Sequence, residues 1–370
     1  MATSLRLRLT APVLVASLAA GLAEAPSGVA SETVAGARLV VDCGDDCWPA
    51  AFAFTPSGKQ IFYLERFTGE IHRYTLGSGA DTIWGSVGPV DAGGERGALG
   101  IAVDPRWDSG KKKRRWKRRW IYVFFTNDSP LENRVERLRK SRRGNDVKTE
   151  RLATISITAG ANHNAGVIHF GPDGKLYVVT GDQAVPSRSQ DLADPAGKVL
   201  RLDRNGSRPG DNPLPGGTAF SFGHRNSFGF TFDPATGSLW QTENGPSCDD
   251  EVNLVVAGGN YGWGSGSTCP DTTSEGPSPR PPEHEWTPPI VPTGAAFCQG
   301  CGVGDAVEGD LLVGVYGSGE ILNLGLDAQR DDVTGEAVLY DHPSGVLAVE
   351  RRPNGQVYFS DDGGIYLLTA

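Results

Sequence analysis

Two short hydrophobic segments separated by a polar loop recur six times along the chain. In each copy, turn residues such as proline and glycine precede a first segment that is rich in valine, leucine and aromatic residues. Short apolar segments bounded by turn residues are typical of β-strands. The first segments cover residues 61–64, 121–124, 176–178, 238–240, 311–313 and 357–359. The second segments cover residues 70–73, 133–137, 197–201, 250–254, 319–322 and 364–367.

This repeat predicts an all-β fold, a six-bladed β-propeller with one blade for each copy. The copies follow one another at very roughly 45 to 75 residues, a period typical of propeller blades. A single blade cannot bury both faces of its sheet, and closing the ring removes the free edges. The chain's 50 glycines and 25 prolines are spread along its length, as many tight turns require. A large β-sandwich is the alternative, but it does not explain six copies.

The first 30 residues have the pattern of an export signal. Two arginines precede an apolar run at 11–23, which is too short to span a bilayer. Small residues then offer cleavage sites after Ala25 or Ala30. We therefore expect a signal peptide at 1–30, a mature domain at 31–370 and a secreted, periplasmic or extracellular protein. An uncleaved membrane anchor is the alternative.

The six cysteines are expected to form disulfides if the chain is exported. Pairing between neighbours in the sequence is the simplest arrangement, and it joins Cys43 with Cys47, Cys248 with Cys269, and Cys298 with Cys301. A zinc site is the alternative, with ligands from Cys43, Cys47, Cys298 and Cys301.

The formal charge of −9 gives no indication of a nucleic-acid partner. One segment departs from this acidic balance: from Lys111 to Arg119 the chain reads KKKRRWKRR. A solvated loop insertion explains this segment, and so does a contact with an anionic polymer, cell wall or membrane headgroups.

A histidine and an aspartate flank a predicted hairpin in the third copy. His163 precedes the strand at 167–170, and Asp182 follows the strand at 176–180. A hairpin of this length brings its far end back beside its start, so the carboxylate of Asp182 could reach His163. A histidine held by an acid is the usual form of a general base. The alternative is purely structural, with His163 bonded to a loop and Asp182 capping a turn.

Four further polar motifs lie outside the hairpin. GERGALGIA at 94–102 precedes the hairpin, and SFGHRNSFG at 221–229 follows it. ENGPSCDDEVNL begins at Glu243, and the last motif, GNYGW, ends at Trp263. In a propeller, loops from different blades converge at one end of the central channel. These motifs therefore predict a polar pocket at that end.

The hairpin and these motifs, in this order, resemble the soluble quinoprotein glucose/sorbosone dehydrogenases, also called aldose sugar dehydrogenases. The resemblance covers most of the chain from about residue 35 and implies a propeller that holds pyrroloquinoline quinone (PQQ) and Ca²⁺. It implies that His163 is the base that takes the proton of a sugar's anomeric hydroxyl, while hydride passes to the quinone. Asp182 would orient this base, and Arg225 would stabilise negative charge on the quinone oxygens.

The same resemblance implies further ligands. Asn226 and Glu95 match positions that contact the cofactor. The backbone carbonyls of Gly245 and Pro246 match the ligands of the cofactor's calcium, which prefers oxygen donors. Glu251 and Tyr261 match a second, structural calcium site; a solvated acidic turn is the alternative for this region.

Two departures from the family pattern concern residues that bind the cofactor. Gln299 is interpreted as replacing a lysine, and the region around Leu347 lacks two arginines. Each charge-assisted hydrogen bond to a carboxylate contributes about 1.5–3 kcal/mol, so these losses weaken the expected binding of the quinone. They favour an alternative function, a non-catalytic binding propeller that resembles the hedgehog-interacting proteins.

Overall fold

Each of the six repeats forms a four-stranded antiparallel sheet in the computed structural model of this chain. The structure describes residues 35–44, 47–109, 116–141, 147–156 and 162–370. The predicted signal peptide at 1–30 lies outside these ranges, as do residues 111–115 of the basic segment. Within the described ranges, no helix is both long and apolar enough to cross a membrane.

The strands of the first three blades follow one another along the chain. An initial strand, β1 (Gly36–Asp42), precedes them and belongs to the last blade. Blade 1 comprises β2 (Pro49–Phe54), β3 (Gln60–Glu65), β4 (Glu70–Thr75) and β5 (Ala80–Ser86). Blade 2 comprises β6 (Ala98–Val103), β7 (Ile121–Asn127), β8 (Glu132–Lys140) and β9 (Val147–Ser156). Blade 3 comprises β10 (Ala165–Phe170), β11 (Leu176–Thr180), β12 (Lys198–Leu202) and β13 (Ala219–Phe222), with a short helix α1 (Ser187–Gln190) before β12.

The remaining blades complete the ring. Blade 4 comprises β14 (Gly229–Phe232), β15 (Leu239–Glu243), β16 (Asp250–Val255) and β17 (His284–Trp286). Blade 5 comprises β18 (Pro292–Phe297), β19 (Leu311–Val315), β20 (Glu320–Leu326) and β21 (Val333–Asp341), with a short 3₁₀ helix at Asp305–Val307. Blade 6 comprises β22 (Ala348–Arg351), β23 (Val357–Ser360) and β24 (Gly364–Thr369), and β1 pairs with β24 as its fourth strand. The predicted six-bladed propeller is therefore confirmed.

The first strand of every blade lines the central channel, and apolar clusters fill the space between neighbouring blades. Blades 1 and 2, for example, share a buried cluster that includes Phe62 and Leu64 of the former and Ile101 and Val123 of the latter. Burying both faces of a strand in this way explains why the middle strands are almost continuously hydrophobic. All twelve segments predicted from the sequence overlap the second and third strands of their blades.

The three predicted disulfides are present. Cys43 is bonded to Cys47, Cys248 to Cys269, and Cys298 to Cys301. The alternative zinc site, which needed Cys43, Cys47, Cys298 and Cys301 as free thiolates, is therefore wrong for this structure.

A histidine and a glutamate from opposite blades meet inside the central channel. His169 of β10 and Glu350 of β22 approach to 3.3 Å between Nε2 and Oε1. The channel here is a cavity of about 20 Å³, enough for about one water molecule. Burial lowers the pKa of His169 to about 4 and raises that of Glu350 well above its usual value. Both side chains are therefore neutral over a wide range of pH.

This pair predicts a specific sensitivity to acid. Because the pKa of His169 is lowered on folding, the unfolded chain binds an extra proton below its usual value of 6.5. The contribution of His169 to the free energy of unfolding should therefore fall as the pH drops from about 6.5 towards 4, by about 1.4 kcal/mol per pH unit at most, whereas the raised pKa of Glu350 acts in the opposite direction. Urea unfolding of the wild type and His169→Phe at pH 7 and pH 4.5 measures this share. Equal losses of stability in both proteins would contradict the prediction.

Candidate active site

The histidine and aspartate that flank the third blade's hairpin are hydrogen-bonded to each other. Ala165 of β10 pairs with Thr180 of β11, which places the two flanking loops side by side. The Nδ1 atom of His163 lies 2.6 Å from Oδ1 of Asp182, whose side chain is fully buried. The Nε2 atom of His163 has no hydrogen-bond partner among the described residues. The geometry therefore holds one ring nitrogen and leaves the other available for proton transfer.

A tryptophan that the sequence analysis gave no role holds the other oxygen of Asp182. The indole Nε1–H of Trp263 donates to Oδ2 of Asp182 over 2.7 Å, and both side chains are buried. The backbone N–H of Ala184 donates to Oδ1 over 2.7 Å. With three partners, the carboxylate is fixed in the orientation that aligns His163.

The backbone around His163 is itself constrained. His163 has a left-handed conformation, with φ of +59°, which is uncommon for a residue with a side chain. The chain packs so closely that a Cβ atom at Gly181 would lie 2.0 Å from the carbonyl oxygen of His163. Glycine is therefore required at position 181, and such outliers are frequent at functional sites.

Glu95 joins the hairpin to the loop of the next blade. Its Oε2 atom accepts hydrogen bonds from the backbone N–H of His163 over 2.6 Å and from Nδ2 of Asn226 over 3.0 Å. The backbone N–H of Asp182 donates to the carbonyl of Arg225 over 2.9 Å. Loops from three blades, which are distant in the sequence, therefore converge on one place.

Arg225 presents a cation beside this constellation. Its Nη1 atom donates to the carbonyl of Asn244 over 2.7 Å, and its guanidinium lies 5.3 Å from the ring of Trp263. Burial lowers the pKa of Arg225, although the surrounding carboxylates oppose this shift. The Nε atom of Arg225 and the Oδ1 atom of Asn226 are buried and lack a partner among the described residues. Because buried polar atoms normally have partners, these two atoms indicate a ligand at this wall.

Glu243 supports the loop that carries these two residues. Its carboxylate accepts hydrogen bonds from the backbone N–H groups of Arg225 and Asn226, and it lies 3.0 Å from Nδ1 of His224. Sequence reasoning gave Glu243 no role. Its signal was its position at the end of β15, the edge from which the site loops emerge.

The turn after β15 carries the two predicted calcium-binding carbonyls. The backbone N–H of Gly245 donates to Asp250 over 2.8 Å, and Asp250 also accepts hydrogen bonds from two backbone N–H groups before β18. Among the described residues, neither the carbonyl of Gly245 nor that of Pro246 accepts a hydrogen bond. Both oxygens are therefore available to a cation.

The predicted second calcium site is a buried acidic cluster. Glu251 lines a small cavity together with Glu243, Asp249 and Tyr261. Burial, assisted by the charge of Glu243, raises the pKa of Glu251 to about 8. The hydroxyl of Tyr261 is already bonded to the backbone of Leu254 and Val256, so its carbonyl is the better ligand.

A cavity of about 310 Å³ lies at one mouth of the central channel, and it is lined in part by Glu95, which is bonded to His163 and Asn226. Glu95 and Ala165 contribute to its wall, which places His163 at its edge. Much of the remaining wall is apolar and comes from several blades, with side chains from Leu99, Val167, Phe228 and Leu347. A mostly apolar concavity with a few convergent polar groups is typical of a small-molecule site.

Arg66 supplies a second cation to this cavity and was missed by the sequence analysis. Its guanidinium donates to the carbonyls of Gly94 and Arg96 and lies over the rings of Trp48 and Phe67, at 5.3 and 5.1 Å. Burial lowers the pKa of Arg66. Its sequence signal was weak, because only its position after the predicted strand at 61–64 placed it near a blade end.

The interpretation of Gln299 as a cofactor position requires correction. Gln299 follows the far end of β18, whereas Thr293, near the other end of that strand, lines the cavity. The carbonyl of Gln299 accepts hydrogen bonds from Arg351 instead. From the same blade, Tyr316 reaches the cavity. By contrast, Leu347 lies in the cavity wall, and its interpretation as a cofactor position stays a prediction.

A buried lysine fixes the loop that follows Asp182. The ammonium group of Lys198 donates to the carbonyls of Arg188, Ser189 and Ala196 over 2.7 to 3.0 Å. Burial lowers the pKa of Lys198 to about 7, but three carbonyl acceptors favour the charged form. Lys198 therefore ties three carbonyls of this loop together.

Replacing this lysine should destabilise the protein. Lys198→Met leaves the carbonyl of Ala196 without a donor and removes one of two donors from the carbonyls of Arg188 and Ser189, at a cost of about 1.5–3 kcal/mol in the free energy of unfolding. Urea denaturation measures the loss. The matched control is Lys175→Met, because Lys175 forms a partly exposed pair with Asp203, and such a pair contributes about 1 kcal/mol or less. Similar losses in both variants would contradict the assigned role of Lys198.

Comparison with known proteins gives consistent results. The family model described as Glucose / Sorbosone dehydrogenase matches residues 47–367. Quinoprotein glucose dehydrogenase B of Acinetobacter calcoaceticus is 32% identical over 247 residues, which are 58% of this chain and 50% of that protein. The match thus spans about half the length of this relative.

Solved structures show the same fold. An oxidoreductase described as a glucose dehydrogenase from Thermus thermophilus is 30% identical, with a TM-score of 0.75, covering 90% of this chain and 99% of that chain. The PQQ-bound form of an aldose sugar dehydrogenase from Streptomyces coelicolor has a TM-score of 0.75 at 24% identity, covering 90% and 98%. Hedgehog-interacting protein of Mus musculus is similar over a shorter part, 30% identical over 129 residues, which are 31% of this chain and 17% of that protein.

Proposed function

This chain belongs to the glucose/sorbosone dehydrogenase family, and from that premise we propose that it oxidises the anomeric hydroxyl of aldose sugars with PQQ and calcium. One observation carries the proposal. His163 is held by Asp182 with its Nε2 atom unbonded within the described chain, next to the cavity that Glu95 lines, and the adjoining loop carries unpartnered buried atoms of Arg225 and Asn226. A base, a fixed cation and a cavity of substrate size are the parts that such a reaction needs.

The residues on one wall of the cavity fit the proposed cofactor. Arg225 and Asn226 would hold its polar atoms, with Glu95 fixing the amide of Asn226. Arg66 offers a further cation to a carboxylate. The free carbonyls of Gly245 and Pro246 would bind the cofactor's calcium, for which neutral oxygen donors are suitable ligands. When bound, PQQ supplies a two-electron acceptor for the hydride of the sugar.

His163 would take the proton of the anomeric hydroxyl at Nε2. This requires a neutral ring with its proton on Nδ1, the tautomer in which His163 donates to Asp182. As the proton arrives, the buried carboxylate stabilises the imidazolium, while Trp263 prevents the carboxylate from turning. Arg225 would stabilise negative charge that develops beside it, in a site where burial strengthens the interaction.

The buried acidic cluster supports a second calcium. Glu251 would provide carboxylate oxygens together with Glu243 and Asp249, and Tyr261 its backbone carbonyl. A cation there would oppose the burial and the repulsion from Glu243 that raise the pKa of Glu251. The role we propose for this calcium is structural, because it would join the loops after β15 and β16.

The disulfides bear on where the protein works. The described chain contains three disulfides and no free cysteine, which supports secretion or a periplasmic location. Of the basic segment, only residues 116–119 are described, and there the guanidinium of Arg119 lies 5.5 Å from the ring of Trp107. The contact of the basic segment with an anionic polymer or surface therefore stays a prediction.

Reconstitution tests the proposed function. The full chain, treated with EDTA, is incubated with PQQ and Ca²⁺ and assayed with a panel of aldoses and an artificial electron-accepting dye. We expect dye reduction that requires both additions, and quinone binding detectable by calorimetry and by its absorption. The apolar wall at Leu347 favours the alternative, a binding propeller of the hedgehog-interacting type. No quinone binding at saturating Ca²⁺ would support that alternative and reject the enzyme.

A further inference from the structure

Two glutamates and a histidine lie close together on blade 1, outside the cavity. Glu65 ends β3, Glu70 begins β4, and His72 follows on β4. The Nε2 atom of His72 lies 3.2 Å from Oε1 of Glu65 and 3.5 Å from Oε2 of Glu70. One ligand atom from each of the three residues lies within 4.8 Å of the other two. A tight hairpin, which needs no distant partner, creates this arrangement.

His72 is close to the carboxylates of Glu65 and Glu70 but is not hydrogen-bonded to them. The Nε2 atom of His72 is buried and lacks a hydrogen-bond partner among the described residues, although two carboxylates face it. In a tetrahedral zinc site, bonds of about 2.0–2.1 Å place neighbouring ligand atoms roughly 3.3 Å apart. The two observed distances lie on either side of this value. The two nitrogen–oxygen distances are thus those expected around a metal ion, and the two carboxylate oxygens lie within 4.8 Å of each other.

Neighbouring side chains fix the orientation of the histidine and of one glutamate. The ring of Tyr63 stacks on the imidazole of His72, with centroids 4.6 Å apart and 20° between planes. Oδ1 of Asp81 lies 3.5 Å from the other ring nitrogen, and Tyr63 donates its hydroxyl proton to Oδ2 of Asp81. Thr68 donates to Oε2 of Glu65 over 2.7 Å, which leaves Oε1 for a metal. A carboxylate that faces the second ring nitrogen of a histidine ligand, as Asp81 does here, is a regular feature of metal sites.

The cluster also lacks a compensating cation. Within the described ranges, no lysine or arginine forms an ion pair with Glu65, Glu70 or Asp81. A bound cation would offset this charge.

We propose that Glu65, Glu70 and His72 form a binding site for a divalent first-row transition metal, for which Zn²⁺ is the probe. One imidazole and two carboxylates suit zinc, whereas calcium takes oxygen ligands only. Glu70 is 40% exposed, so water can occupy the fourth position. A metal here would brace the turn between β3 and β4, which carries Arg66 to the cavity wall. The site is independent of the proposed quinone.

Calorimetric titration with Zn²⁺ tests this proposal. The full chain is stripped with EDTA, then saturated with Ca²⁺ to occupy the proposed calcium sites, with no reductant present. We expect one Zn²⁺ per chain in the wild type. Asp81→Asn should weaken binding about 10- to 100-fold, as changes behind a metal ligand do, and His72→Gln should weaken it at least as much. The matched control is His284→Gln, which removes another histidine–glutamate contact, 2.7 Å long, and should not change binding.

Two results would overturn the proposal. One is the absence of Zn²⁺ binding to the wild type, which would leave His72 as a protonated partner of the carboxylates. The other is unchanged affinity in His72→Gln, which would place the metal elsewhere. Should His72→Gln fail to fold, Glu70→Gln provides the same test from the exposed side of the cluster. Anomalous diffraction at the zinc edge should show a peak between Glu65, Glu70 and His72, and a peak elsewhere alone counts against the site.

Discussion

His163→Ala should lower kcat for aldose oxidation by about 10²–10⁴-fold in protein loaded with PQQ and Ca²⁺, the usual contribution of a general base. The reason is geometric. Nδ1 of His163 is bonded to Asp182, so Nε2 is the ring nitrogen that can accept a proton from the substrate. KM should change little, since His163 is not among the groups that we assign to cofactor binding. Steady-state kinetics with a dye acceptor measure both constants.

Two further variants separate this role from a general loss of structure. Asp182→Asn keeps the shape but can favour the wrong tautomer of His163, so kcat should fall by about 10²-fold or more. His284→Ala removes a histidine from the outer strand β17 and should leave kcat unchanged. Circular dichroism should show that all three variants are folded. A fully active His163→Ala protein would reject the proposed base.

Leu347→Arg should tighten PQQ binding by about 10- to 100-fold, because one charge-assisted hydrogen bond to a carboxylate contributes about 1.5–3 kcal/mol. Leu347 precedes β22 and lies in the cavity wall, so an arginine there can reach an anionic ligand. The cation in the wild-type wall is Arg66, and most of the other lining residues are apolar. Titration calorimetry at saturating Ca²⁺ measures the change.

The matched control uses the other departure from the family pattern. Gln299→Lys adds the same charge beyond the far end of β18, and it should leave the affinity for PQQ unchanged. If Gln299→Lys tightens binding while Leu347→Arg does not, the placement of the cofactor in this cavity is wrong. Thermal unfolding of both variants should show that neither is destabilised enough to affect the titration.

The sequence predicted the middle strands of each blade better than the inner and outer ones. Middle strands such as β11 (Leu176–Thr180) are covered on both faces, so they read as continuous hydrophobic segments. Inner strands such as β18 contain small residues, because they line a narrow channel. Outer strands such as β21 are largely exposed and polar. Neither the inner strands nor the outer strands have a hydrophobic pattern that can be recognised in a single sequence.

The same contrast applies to the site. The contact between His163 and Asp182 was predictable, because a single hairpin brings them together. The bond from Trp263 to Asp182 spans 81 positions, and the packing of blade 4 against blade 3 creates it. The correction at Gln299 has a related cause, since a residue's place at one end of a strand or the other depends on where that strand begins.

The closure of blade 6 has a consequence for how the chain matures. Strand β1 pairs with β24 along its full length, so residues 36–42 must wait until residues 364–369 have been synthesised. Until then, blade 6 has an open edge and the ring cannot close, which leaves the fold dependent on contacts between distant parts of the chain. Such a polypeptide is expected to complete its tertiary structure only after translation. A cut that removes β1 should expose the edge of β24 and open the ring at blade 6.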